Sequence, residues 1–234
     1  MPARNKAAAP PPSASHPSSR CLGARLRGAR EQAGQSVRGL ARAIDVSPSL
    51  ISQIEHGKVT PSVGTIYALA NELGLSVDSL FRDAEAPGAL KQPTVVKRRA
   101  AVPPVSDGQV QRRQGRKAIK LASGVRWERL TPHPDPDLEF LYVVYDVGGE
   151  SCPPDALIRH GGQEYAYVLS GRLGLVVGFE EYDLGPGDSI VFDAQKPHRL
   201  WAIGNKPAEA VWVVLNRHAD SRAKAPASRS RTAR

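Results

Sequence analysis

Between Leu22 and Phe81 the apolar residues return every three or four positions: Leu22, Leu26 and Ala29, then Leu40, Ala41 and Ile44, then Ile51 and Ile54. Only a helix places such a set on one face. Punctuation within the segment is dense. Gly34 ends a first helix, Ser36 can cap a second, and Ser47 followed by Pro48 opens a third that Gly57 closes. Pro61-Ser62 starts a fourth running to Gly74, and Ser76 can cap a fifth through Leu80 and Phe81. Helices this short are not stable alone in water, so the five are expected to pool their apolar stripes in one globule.

From Val125 onward the pattern shortens to β-rich runs at 125–130, 138–147, 164–169, 172–177, 180–184, 189–192, 198–203 and 208–215, separated by Gly, Pro, Asp and Asn. Eight closely spaced strands predict an antiparallel sandwich or closed barrel. Charge divides the chain in the same place. The total is +9, yet residues 121–217 carry −6 while residues 83–120 carry +6. The surplus cation therefore sits in the connectors and suits a polyanionic partner. These shifts give five segments: a disordered tail at 1–19, a helical domain at 20–83, a basic Pro-containing linker at 84–118, a β domain at 119–217 and a disordered basic tail at 218–234. The linker carries two cationic clusters, Lys97-Arg98-Arg99 and Arg112, Arg113, Arg116 and Lys117.

Several functions have no foothold. No apolar run approaches the roughly 20 residues that span a bilayer, and no secretory signal is apparent, so a cytoplasmic protein without a membrane partner is expected. Cys21 and Cys152 lack metal-binding spacing and read as reduced thiols. Neither a GxxxxGK[ST] loop nor an HExxH helix is present, which removes P-loop nucleotide chemistry and that class of metalloprotease.

The second and third helices are joined by Asp45-Val46-Ser47, a helix-turn-helix arrangement. The segment from Ser36 to Lys58, with Leu40-Ala41, Ile51-Ser52, Ile54-Glu55 and Gly57-Lys58 in order and Thr60-Pro61-Ser62 after it, resembles the DNA-binding domain of the Cro/C1-type repressors, the XRE family. It departs from that family at Val37, often Gln, and at Asp45, often the turn Gly. A recognition helix opening at Ser47 directs its first residues and those one turn later into the major groove. Pro48, Ser49 and Gln53 are therefore the expected base readers, and Gln53 can pair with adenine N6 and N7. Arg38, Ser47, Ser52 and Lys58 are placed for phosphates. Glu55 is expected to form hydrogen bonds within the domain.

In the β region, His160-Gly-Gly-Gln-Glu164 with Gly171, and Gly185-Pro-Gly187-Asp188 with Pro197-His198, resemble the two cupin motifs. The resemblance implies an all-β double-stranded β-helix, or jelly-roll barrel, behind an all-α lambda-repressor-like domain. It also makes His160, Glu164 and His198 three ligands of a possible divalent ion (Zn, Fe, Mn or Ni), with no cofactor strictly required. Ile158 stands where metal-binding cupins have their first His. Alternation puts Ala166 and Val168 on the face of Glu164, and Leu200 and Ala202 on that of His198, with Tyr165, Tyr167 and Trp201 on outer faces. The trio reads three ways: structural hydrogen bonding, metal-free effector binding or metal binding. Together the two resemblances imply a non-enzymatic, sequence-specific transcriptional regulator, with repression the preferred mode. Its partners are operator DNA, a small-molecule effector and a second copy of the chain. No catalytic residue is assigned. The alternative is a cupin isomerase or oxygenase fused to a DNA-binding module.

Overall fold

The computed structural model describes residues 17–81, 108–135 and 137–215. Among these residues α1 (Pro17–Gln32), α2 (Val37–Ala43), α3 (Pro48–Glu55) and α4 (Val63–Glu72) form the first domain. Ser36, Ser47 and Ser62 cap α2, α3 and α4, each accepting a hydrogen bond from a first-turn amide. The expected fifth helix is instead a 3-10 segment at Val77–Phe81. Ser76 caps it through the Ser79 amide, but five residues are too few to repay α-helix nucleation. α1 begins at Pro17, inside the span assigned to the N-terminal tail, because a proline tolerates a first helical turn. The rest of both expected tails, and linker residues 84–107 with the Lys97-Arg98-Arg99 cluster, lie outside the described residues.

Two backbone details set the angle of α3. Asp45 takes φ 54°, the left-handed conformation its side chain tolerates, so the turn forms without glycine. Gly23 of α1 lies against α3, where a Cβ would come within 2.3 Å of the Ile54 carbonyl oxygen. Beside it the guanidinium of Arg30 grips Glu55 through two bonds, Nε to Oε1 at 2.6 Å and Nη2 to Oε2 at 2.9 Å. Both residues are buried, which joins α1 to α3 by a bidentate ion pair.

The second domain holds nine strands among the described residues: β1 (Ala118–Leu121), β2 (Val125–Arg129), β3 (Leu138–Tyr145), β4 (Gln163–Ser170), β5 (Leu173–Val177), β6 (Glu180–Leu184), β7 (Ser189–Asp193), β8 (His198–Ala202) and β9 (Ala208–Leu215). All pair antiparallel, in sheets ordered β1-β2-β3-β9-β4-β7 and β6-β5-β8. Inward residues alternate along β4 (Glu164, Ala166, Val168) and β9 (Ala208, Ala210, Trp212, Val214). β1 was not legible as a strand because its four residues adjoin a cationic run. Part of that run, assigned to a free linker, is docked: Arg116 bonds Glu128 at 3.2 Å and lies over the Tyr142 ring.

The two domains share one continuous apolar core. The Ala122 amide donates to Pro61 O at 2.9 Å, and the Gly64 amide, in the first turn of α4, donates to Ser151 O at 3.3 Å. α4 therefore lies directly on the barrel.

Replacing Glu55 by Leu leaves the Arg30 charge buried without its partner. Urea unfolding followed by helical circular dichroism should show a loss of about 3–5 kcal/mol.

Candidate DNA-binding face and buried His-Glu-His site

α3 has two unlike sides. Ile51, Ile54 and Glu55 are buried in the helical core, whereas Ser47, Pro48, Ser49 and Gln53 are exposed and Ser52 is half-buried. Ser47 Oγ accepts from the Leu50 amide at 3.1 Å, which fixes the start of the helix. Gln53 Nε2 is 3.5 Å from Ser49 Oγ, a weak contact that leaves the amide available to another partner. Arg38 on α2 and Lys58 just beyond α3 are both exposed. The barrel covers α4 and not this side of α3, so the outward face remains accessible in the docked arrangement.

The second site lies inside the barrel. Glu164 enters from β4, His198 from β8, and His160 from the loop before β4; all are buried. Their ligand atoms lie within 4.8 Å of one another. His160 Nδ1 lies 3.0 Å from Gly161 O and His198 Nδ1 lies 2.9 Å from Lys196 O. A carbonyl only accepts, so each Nδ1 carries a proton and each ring turns its Nε2 toward the interior. Those Nε2 atoms stand 2.7 and 3.8 Å from Glu164 Oε1. Neither makes an aligned hydrogen bond, although both are buried.

Burial opposes ionisation of Glu164. The nearby His160 ring, the charge the two imidazoles can carry and the Trp212 N–H outweigh it and hold the carboxyl below its ordinary range. Trp212 Nε1 donates to Glu164 Oε2 at 3.1 Å. Burial lowers the pKa of His198 against the opposing pull of Glu164, which favours its neutral, ligating form. Two imidazole nitrogens and a carboxylate oxygen therefore converge on one point, a donor set that could hold a metal ion. Imidazoles anchored through Nδ1 to carbonyls are what a metal ligand requires of its surroundings. The donor set suits Zn, Fe, Mn or Ni.

The aromatic surroundings were only partly legible. Alternation along β9 turns Trp212 inward, yet nothing in the sequence pairs it with Glu164. Tyr67 of α4 was missed. Its ring stacks on His160 at 4.1 Å between centroids and lies 5.5 Å from Trp127. Ile158, in the place of a fourth cupin ligand, is buried against α4, where a Cβ on Gly64 would come within 2.9 Å of its Cγ2. Ala166, Val168, Leu200 and Ala202 are buried as expected. Tyr165 and Tyr167 are exposed on the large sheet, and Trp201 lies half-buried over Gly174 of the small one.

Comparison with known proteins agrees with both halves. Residues 22–81 match a helix-turn-helix domain profile and residues 141–214 a cupin domain profile. The HTH-type transcriptional regulator PuuR of Escherichia coli (strain K12) is 28% identical over 176 residues, covering 75% of this chain and 84% of that protein. The HTH-type transcriptional regulator YazB of Bacillus subtilis (strain 168), itself uncharacterised, is 36% identical over 58 residues, 25% of this chain and 84% of that protein. A solved HTH_3 family transcriptional regulator from Vibrio cholerae superposes with a TM-score of 0.58 at 20% identity, over 84% of this chain and 96% of its own, and shares the fold. These matches define a DNA-binding regulator. The chain belongs to the XRE-type helix-turn-helix transcriptional regulators and carries a C-terminal cupin domain.

Replacing Trp212 by Phe removes the indole donor from the buried Glu164 carboxylate. Denaturant unfolding of the barrel should show a cost of about 1.5–3 kcal/mol, as for hydrogen bonds to charged groups.

Proposed function

We propose that the protein is a cytoplasmic, ligand-responsive repressor in which α3 reads operator DNA and the cupin barrel pairs two copies and senses a small effector. The observation that carries the DNA reading is the two-sided burial of α3, which leaves Pro48, Ser49 and Gln53 outward on a helix otherwise anchored in the core. Gln53 discriminates bases, and Arg38, Ser47, Ser52 and Lys58 hold phosphates. Against sequences selected from a random pool, Gln53→Ala should cost about 1–3 kcal/mol of preference over random DNA. Lys58→Ala should weaken binding to both alike. Equal loss on both for Gln53→Ala would reduce that residue to a backbone contact.

Reading two half-sites requires a two-fold dimer. The outer face of the large sheet is suited to it: Tyr165, Tyr167, Leu169 and Val191 are 39–53% exposed on adjacent strands β4 and β7. An uncharged strip lets two net-acidic barrels approach. Sedimentation should give a dimer that Tyr167→Asp with Val191→Glu converts to a monomer with folded circular dichroism.

His160, Glu164 and His198 would hold a divalent ion, which supplies an open coordination position for an effector donor group. The protein residues fix the imidazole tautomers and keep water out. One observation favours a second reading, a cupin enzyme: the same open-sided trio is a workable catalytic centre. Relatives named as regulators support the non-enzymatic reading. Metal analysis of protein purified without added metal separates the readings of the trio. Stoichiometric metal that His160→Ala abolishes supports ligation, and none in either protein leaves the trio to hydrogen bonding or metal-free effector binding.

A further inference from the structure

α4 serves two cores at once. Ile66, Leu69 and Ala70 are fully buried within the helical domain, while Val63, Gly64 and Tyr67 face the barrel. The barrel cavity is lined by Val63 and Tyr67 of α4 together with Trp127, Trp212, Glu164 and His198 of the barrel. Its volume is about 20 Å3, room for about one water. An ion fits this space; an organic effector does not. On the α4 side this space is bounded by the Tyr67 ring, stacked on His160 at 4.1 Å with its hydroxyl donating weakly to Glu139 Oε2 at 3.5 Å.

We infer that Tyr67 is a removable wall of the effector pocket. A ligand larger than a water molecule reaches the His-Glu-His trio only by displacing the Tyr67 ring from His160, and in doing so it loosens α4 from the barrel. Ligand entry and docking of the DNA-binding domain then exclude one another. The site cannot be occupied by such a ligand without α4 moving, and α4 cannot move without carrying the helical core in which α3 is set. This deepens the effector reading above and rests on the barrel interior being a ligand site. It does not depend on a metal ion.

The test uses the full chain with Trp201→Phe, so that the remaining tryptophans, Trp127 and Trp212, both line the pocket. Acrylamide, a neutral amide larger than water, is the probe, and collisional quenching of the two indoles reports its entry. Gly64→Cys supplies a lock, because a Cβ at residue 64 lies 3.7 Å from Cys152 Cβ, within the range for a disulfide. Cys21→Ser removes the other thiol. The crowded neighbour is Ile158 Cγ2, 2.9 Å from that Cβ, so its side chain must shift by a few tenths of an ångström to admit the substitution. Oxidation with diamide should form the bridge and lower quenching several-fold, and reduction should restore it. Tyr67→Ala should raise quenching several-fold, and Tyr67→Phe, which keeps the stacked ring and loses only the 3.5 Å contact of the hydroxyl with Glu139, should raise it far less. Two results overturn the inference: failure of the bridge to form in protein that keeps its circular dichroism, or quenching that neither the lock nor Tyr67→Ala alters. Absence of metal or effector binding in the parent would instead remove the pocket's proposed role while leaving the quenching result in place.

Discussion

The packing of α4 against both domains at once is the constraint on which the rest of the structure depends. An amphipathic helix normally buries one stripe and leaves the other to solvent. Here Ile66, Leu69 and Ala70 fill the helical domain while Val63, Gly64 and Tyr67 meet the barrel. The first-turn amide of Gly64, which a helix cannot satisfy internally, is bonded to a barrel carbonyl. Gly64 eases this approach, since a Cβ there would come within 2.9 Å of Ile158 Cγ2 and require that side chain to shift. The DNA-binding domain is thereby held at a defined position, with α3 outward and α4 lining the barrel cavity.

The interior of the barrel depends on charge as much as on packing. Three polar groups are taken out of water, a costly arrangement unless each is partnered. The structure satisfies the periphery: both Nδ1 atoms meet carbonyls and the second Glu164 oxygen meets the Trp212 indole. The inward atoms remain without aligned donors. The periphery is thus anchored by hydrogen bonds, while the inward contacts are those of the three groups with one another. Ile158 alters the family pattern coherently. Where a fourth imidazole would face the centre, an apolar side chain instead packs against the helical domain, trading a ligand for interdomain contact.

Much of the fold was legible because it is local. Helical period, serine caps and the Asp45 turn identify a helix-turn-helix domain, and alternation identifies the eight strands from Val125 onward. The errors have local causes too: Val77–Phe81 carries the apolar spacing of a helix but is too short for one, and β1 lies within a cationic run that masks its alternation. In the candidate sites, the exposed character of Pro48, Ser49 and Gln53 follows from the helical positions of Ile51 and Ile54, and the convergence of His160, Glu164 and His198 follows from motif resemblance.

The sequence by itself determined a helical and a β domain and the outward face of α3, because each depends on periodicities within one segment, while the trio inside the barrel was legible only through motif resemblance. Tertiary structure alone decided that Arg30 pairs with Glu55, that Trp212 bonds Glu164, and that Tyr67 covers His160. These partners lie 25, 48 and 93 residues apart. No periodicity records which distant surfaces will meet. That is settled only by the packing of the whole chain, and here α4 supplied a surface that both domains bury.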